Sequence, residues 1–412
     1  MNELFTVRPP QEALELLLGR CPAPERAETV ALGDALGRVT AEAVVARETL
    51  PAFARSTMDG YAVRAADTFG AAESAPAYLR LCGEVAMGTV PSLHVAAFEA
   101  AKIHTGAMLP PGADAVVMVE ETNARGGEVE VLASVAPGEN VVAAGEDVRA
   151  GDVALEPGRR LRAQDVGGLA ALGVTHVRVF ARPRVAILST GDEVVAVAET
   201  PALGKVRDVN AATVAAVVTA NGGVALPHGI VPDDEARLER AARAALDGAD
   251  ALVLSAGSSV SYRDFTARAV ERLGAPGVLV HGIGIKPGKP TLLAVAGTKP
   301  VVGLPGNPVS ALVLAWRIVA PLVRALGGEA LADRPFASEL DATLTAPVRS
   351  RPGREDYVPC TLAREADGTL RATPIFGKSN LIFTLVRADG LLVVPLDQSG
   401  LPAGAAVRVI VP

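Results

Sequence analysis

Between Arg184 and Trp316 the chain alternates short apolar runs with longer segments of helical period. Arg184-Val-Ala-Ile-Leu-Ser189 is an unbroken run, short enough for a strand buried on both faces. Thr190-Gly-Asp-Glu193 follows it directly. The pattern then repeats, with residues 223–231, a helix starting near Asp233-Asp234, Ala251-Leu-Val-Leu-Ser255 running into Ala256-Gly-Ser-Ser259, and a helix after Ser261. A strand-like run at 278–285, the loop Lys286-Pro-Gly-Lys-Pro290 and a run at 300–304 lead into Pro305-Gly-Asn-Pro308. A long apolar helix containing Trp316 closes the stretch. Strands alternating with helices of about 10–15 residues predict right-handed βαβ crossovers and a mostly parallel α/β sheet.

The flanks read differently. Residues 1 to about 45 predict two helices. Pro9-Pro10 start one, with Ala13, Leu14, Leu17 and Leu18 as its apolar stripe, and Asp34 caps a second over 35–46. Strand-like runs at 78–84, 101–105, 115–119 and 128–132, separated by Gly, Pro and Asn turns, predict a β-rich unit. The helical pattern returns between 141 and 180, with a helix over 164–172. Beyond a linker at Gly327-Gly328 and Asp333-Arg-Pro335, runs at 340–348, 356–362, 370–374, 390–394 and 405–411 predict a small β-barrel or sandwich.

Composition narrows the function classes. Half of the 412 residues are hydrophobic, enough for a sizeable core, yet no uncharged apolar run reaches the ~18 residues of a membrane span. Met1-Asn-Glu-Leu-Phe5 lacks a secretory pattern, so a soluble cytoplasmic protein without membrane contact is expected. A net charge of −7 argues against a general nucleic-acid binder, and requires any anionic substrate to be held by a local positive pocket. Three scattered cysteines imply no disulfide framework. Five histidines without HxxxH or HExxH spacing, and no CxxC, count against a zinc hydrolase.

In open α/β sheets ligands sit where parallel strands end. Ser189-Thr190-Gly191 and Ser255-Ala-Gly257-Ser258-Ser259 fall there and present backbone N–H groups suited to phosphate or oxyanion. Lys286 and Lys289, in a loop stiffened by Pro287 and Pro290, add fixed positive charge. Asp192, Glu193, Asp208, Asp233 and Asp264 supply hard oxygens of the kind Mg²⁺ takes. An Asp or Ser at such a turn is singly an N-cap more often than a ligand. Their convergence on one edge points to a site without naming its ligand. Asp59 on a glycine turn reads equally well as a turn former, Thr105 after a strand suits a cap as well as a ligand, and Asp147 in a Gly-Glu-Asp turn reads mostly as a turn. Arg351, Arg354 and Lys378 read as surface charges or helpers of a phosphate site, and His94 and His104 as structural.

Several of these runs closely resemble the MoeA family of molybdopterin molybdenumtransferases, which includes the E domains of gephyrin and of plant Cnx proteins. They are Pro183-Arg-Val-Ala-Ile-Leu-Ser-Thr-Gly-Asp-Glu193, Asp208-Val-Asn210, Asp233-Asp234, Lys286-Pro-Gly-Lys-Pro290 and Gly303-Leu-Pro-Gly-Asn-Pro-Val-Ser310. Ser56-Thr-Met-Asp-Gly-Tyr-Ala62 and Thr105-Gly-Ala-Met-Leu-Pro110 match its upstream signatures, so the resemblance spans nearly the whole chain. It implies an elongated helical N-terminal domain (1–45 and 141–180) and an inserted β-rich domain (46–140). A MogA-like α/β domain (181–330) and a C-terminal β-barrel (331–412) complete the implied fold.

The implied reaction inserts molybdenum from molybdate into adenylylated molybdopterin, with Mg²⁺, and releases AMP. By the same resemblance Asp59, Thr105, Asp147, Glu193, Asp233 and Asp264 are catalytic. Thr190, Gly191, Ser255, Gly257, Ser258, Ser259, Lys286, Lys289, Pro305 and Pro308 hold the substrate, and Asp192, Glu193, Asp233 and Asp264 anchor the metal. The resemblance also implies a homodimer, with molybdopterin adenylyltransferase and molybdoenzyme delivery proteins as partners. Ala256 and Ser261 stand where the family commonly has glycine, and Gly282 where some members carry Lys. A non-catalytic pterin-binding scaffold, a molybdopterin adenylyltransferase and a tungstate-using variant remain open alternatives.

Overall fold

The computed structural model describes residues 7–256, 260–331 and 338–411, with the side chains of 256, 260–264 and 338 outside that description. Contacts divide the chain into two units: residues 1–41, 158–162 and 176–412 form one, and 42–157 with 163–175 the other.

The first unit is built on a six-stranded sheet. Its order is Val224–Val231, Arg184–Thr190, Ala251–Ala256, Lys299–Pro305, Leu292–Ala296, Pro276–His281. The first four strands run parallel, and the last two attach antiparallel to their neighbours. The unbroken apolar runs are explained by burial on both faces. Val185 and Ile187 face one core with the helices Pro10–Leu18, Val209–Ala220 and Pro308–Leu326. Ala186 and Leu188 face the other, beneath Glu235–Asp247 and Val260–Glu271. The helix Pro308–Leu326 has the length and apolarity of a membrane span, but 72% of its most apolar stretch is buried inside the protein.

Within this six-stranded sheet, Leu292–Ala296 is the strand that the apolar runs did not announce. Leu292–Ala296 returns through Gly297-Thr298 into Lys299–Pro305, a two-residue hairpin whose glycine turn was a usable signal.

The C-terminal strands close into a five-stranded barrel. Glu355–Arg364 pairs with both Leu370–Pro374 and Gly390–Val394, and Ser338–Leu344 and Ala406–Val411 complete the ring. The barrel also annexes Ile285–Lys286, which pairs parallel with Glu355 and Asp356.

The predicted N-terminal helices need correction. Pro10–Leu18 forms, with Ala13, Leu14 and Leu17 buried. No helix forms over 35–46. Leu32–Asp34 is a single 3-10 turn, so Asp34 caps nothing, and Val39 and Thr40 bridge to Arg160 and Val179. Val44–Val45 pairs with Val153–Leu155. The β-branched residues in this stretch favour extended pairing once partners exist. Between 141 and 180 the helix Ala163–Ala171 forms, with short strands on either side.

The second unit holds another six-stranded sheet, in the order Ala115–Met118, Gly60–Val63, Glu99–Ile103, Ala77–Glu84, Glu128–Val131, Thr122–Arg125. Alternate residues fill two cores. Val63, Ala100 and Val117 line one, while Ala62, Ala101 and Val116 line the other.

Candidate active site

The four parallel strands deliver their C-terminal ends to one rim. At its outer end the Thr190 hydroxyl donates to Asp233 Oδ1 at 3.0 Å. The Asp192 and Asp233 turns exchange carboxylate-to-backbone bonds at 3.1 and 3.2 Å. Glu193 is exposed, and its carbonyl takes the Val206 N–H at 2.8 Å. Asp208 serves as a cap: its carboxylate accepts from Ala211 N at 3.0 Å at the start of Val209–Ala220. Asp234 does the same for Arg237 N at 2.7 Å. Among the described residues no three His, Cys, Asp or Glu side chains cluster as a metal site. Asp264 lies in the helix Val260–Glu271 with its side chain outside the described set, as are Gly257, Ser258 and Ser259 altogether.

Asn210, which the sequence reading noted only as part of a motif, ties the middle of the rim together. Its Nδ2 donates to Ser255 Oγ at 2.7 Å and to the Gly306 carbonyl at 2.9 Å, linking a helix start to two strand ends. Pro305 ends its strand, and Pro308 occupies the first turn of the following helix, where its missing N–H is harmless. The Val309 N–H donates to the Ser379 carbonyl at 3.0 Å, so a barrel loop satisfies that helix start.

At the inner end of the rim lies a cavity of about 790 Å³. Lys286, Lys289, Arg351, Arg354 and Lys378 line it, together with His281, Pro305, Asn307 and Ser310. Asp356 is the one carboxylate in its described lining. That residue is 1% exposed, accepts from Lys286 Nζ at 3.2 Å, and takes a forked pair from Arg354 at 2.8 and 3.3 Å. The structure therefore joins the lysine loop to Arg351, Arg354 and Lys378, which the sequence left open between surface charges and helpers of a phosphate site. Asp192, Glu193 and Asp233 belong to the same rim but not to this lining.

In the second unit Asp59 and Thr105 meet. Asp59 Oδ1 accepts from Thr105 N at 2.8 Å and from its hydroxyl at 3.2 Å. The backbone bond, then the hydroxyl, holds the Asp59 carboxyl below the ordinary range, with His104 adding to the effect. His104 is not an isolated structural histidine. Its Nδ1 lies 3.7 Å from Asp59 Oδ1 and its Nε2 2.9 Å from Glu84 Oε1, and Lys102 reaches Glu84 at 3.3 Å. Glu84 is held low by the His104 bond first and Lys102 next. These pairings bring together residues separated by 20 and 46 positions, which no spacing rule signals. Asp147 is exposed, and its N–H donates to the Leu50 carbonyl at 3.1 Å.

The departures from the family pattern have simple backbone settings. Ala256 ends a strand and Ser261 is helical, so neither place requires the left-handed region. Gly282 has φ +108°, where a side chain such as Lys would be strained.

Comparison with known proteins agrees with this architecture. Residues 8–173 match the MoeA N-terminal region (domain I and II), 186–325 a "Probable molybdopterin binding domain", and 341–411 the MoeA C-terminal region (domain IV). A molybdopterin molybdenumtransferase of Haemophilus influenzae is 33% identical over 97% of each chain. Another from a Nostoc species is 34% identical over 96% of this chain and 91% of its own. A crystal structure of a molybdopterin biosynthesis MoeA protein of Pyrococcus horikoshii superposes with a TM-score of 0.82 at 32% identity, covering 99% of this chain and 100% of that one. With near-complete coverage at such identity, and all three regions matched in order, the chain belongs to the MoeA family.

Proposed function

We propose that this protein acts in molybdenum cofactor biosynthesis as a molybdopterin molybdenumtransferase. In this reading it takes molybdate and adenylylated molybdopterin and releases AMP as the pyrophosphate bond is cleaved by water. The observation that carries it is the cavity of about 790 Å³ whose described lining sets five Lys and Arg side chains against one carboxylate, on a chain whose net charge is −7. A local concentration of cations suits a phosphorylated pterin and an oxyanion on such a background. Proline-stiffened Lys286 and Lys289 are suited to hold anionic groups without reorganisation. Thr190 and Asn210 tie strand ends elsewhere along the same rim.

Mg²⁺ belongs to the same proposal. Carboxylates are hard donors with lone pairs beyond those that the backbone N–H groups occupy, so Asp192 and Asp233, with Glu193 and Asp264, suit that ion. When bound, it would neutralise pyrophosphate charge. A homodimer is part of the reading on the strength of the family resemblance. A monomer fully active at high dilution would remove that part.

The test supplies adenylylated molybdopterin, Mg²⁺ and molybdate to the purified protein and follows AMP. AMP that appears only with all three present supports the proposal. Pterin binding without AMP would favour the scaffold. ATP consumption would favour the adenylyltransferase, a reading disfavoured by the matched regions on both sides of the α/β domain.

A further inference from the structure

Asp356 is an unusual group to find in an anion-binding cavity. It is the one carboxylate in the described lining and is 1% exposed, whereas its partners Lys286 and Arg354 keep 53% and 32% of their side chains open to solvent. A buried carboxylate persists only when paired, and here two cations pair with it at once, through three hydrogen bonds. The backbone fixes the arrangement. Lys286 stands directly opposite Asp356 in the parallel pairing, and Glu355 N donates to the Gly284 carbonyl at 2.8 Å.

We propose that Asp356 is the positioning residue of this pocket, aligning the Lys286 ammonium and the Arg354 guanidinium so that both donate to one tetrahedral oxyanion of the substrate. The inference rests on the functional reading above and adds a role for a residue outside the motifs that suggested it. Two effects of the carboxylate oppose each other. As a negative charge it repels the incoming anion, so its removal alone would tighten anion binding. As a clamp it holds two long, flexible side chains in one geometry, so its removal would weaken binding. The proposal is that the clamp wins.

Asp356→Asn should raise the KM for an anionic substrate at least about tenfold, with a smaller change in kcat, in the AMP-release assay. Varying molybdate and adenylylated molybdopterin separately shows which anion occupies the pair: a rise for either supports the proposal. Unchanged or lower KM for both overturns it, even if the variant melts earlier, because a purely structural tie would move stability alone. Arg354→Lys keeps the charge but loses the fork, and should raise the same KM. A neutral result there overturns the proposal independently, and this variant covers the case in which Asp356→Asn does not fold. Wild-type protein that turns over while both variants keep native KM values removes this inference and leaves the reaction standing. Wild-type protein with no turnover removes both.

Discussion

Asp192 and Asp233 brace one another: each carboxylate accepts the other residue's backbone N–H, at 3.2 and 3.1 Å. Two adjacent strand ends are thereby locked, and Thr190 adds a third bond at 3.0 Å. Asp233→Ala removes the acceptor for two donors, one of them open to water, and should cost about 0.5–1.5 kcal/mol, read as a lowered urea midpoint. Asp233→Asn keeps one acceptor oxygen and should keep most of that stability, yet it loses the charge a divalent cation requires. AMP release should fall about 10–100-fold in both variants. An Asn variant as active as the wild type would confine Asp233 to a bracing role.

Thr105 extends toward lower pH the range over which Asp59 stays ionised. The folded carboxyl lies below its ordinary range because it accepts from the Thr105 N–H and hydroxyl. A depressed folded value means that the ionised form favours the native state. Its contribution is therefore complete above the unfolded carboxylate range and is lost as pH falls through the lowered value. Thr105→Val removes the hydroxyl and keeps the stronger backbone bond. Carboxyl-carbon NMR should then show Asp59 titrating at higher pH than in the wild type, yet still below an unperturbed Asp. Identical titration curves would show that the hydroxyl contributes nothing.

Leu254 lies fully buried on a central strand, against the core beneath Glu235–Asp247 and Val260–Glu271. Leu254→Ala removes packed methyl groups that neighbouring strands cannot replace, and should cost about 2–5 kcal/mol. Chemical denaturation measures this directly. A loss below half a kcal/mol would mean that the sheet collapses freely onto the gap.

The α/β unit was legible because its strands are buried on both faces. Val185 through Leu188 read as one apolar word, and both cores confirm why. The non-helical course of 35–46 was hidden, since Val39 and Thr40 take partners more than 100 residues away, at Arg160 and Val179. For the same reason Lys286 and Lys289 were visible as a stiff basic loop, while Asp356 was not. Nothing near Asp356 in sequence announces that its strand will pair with Ile285–Lys286. His104 shows the converse error: a histidine with no sequence neighbours found two carboxylates through sheet pairing. Local chemistry and the βαβ repeat were readable, and the strand pairings outside that repeat were not.

Gly288 offers the sharpest check on the lysine loop. Its φ is +121°, a conformation that L side chains rarely adopt, and a Cβ there would stand 2.6 Å from Leu314 Cδ1. Leu314 is fully buried, so it has no room to retreat. Backbone strain and overpacking thus act in the same direction, and Gly288→Ala should cost about 2–4 kcal/mol. Because Gly288 lies between Lys286 and Lys289, the loop should shift before the sheet unfolds, raising the KM for anionic substrates at temperatures where the protein remains folded. Gly33→Ala is the matched control. A Cβ at Gly33 meets nothing within 4 Å, so both stability and KM should stay near wild type. If Gly288→Ala were as stable and active as that control, the loop would be pliable, and its lysines could not be a preorganised anion site.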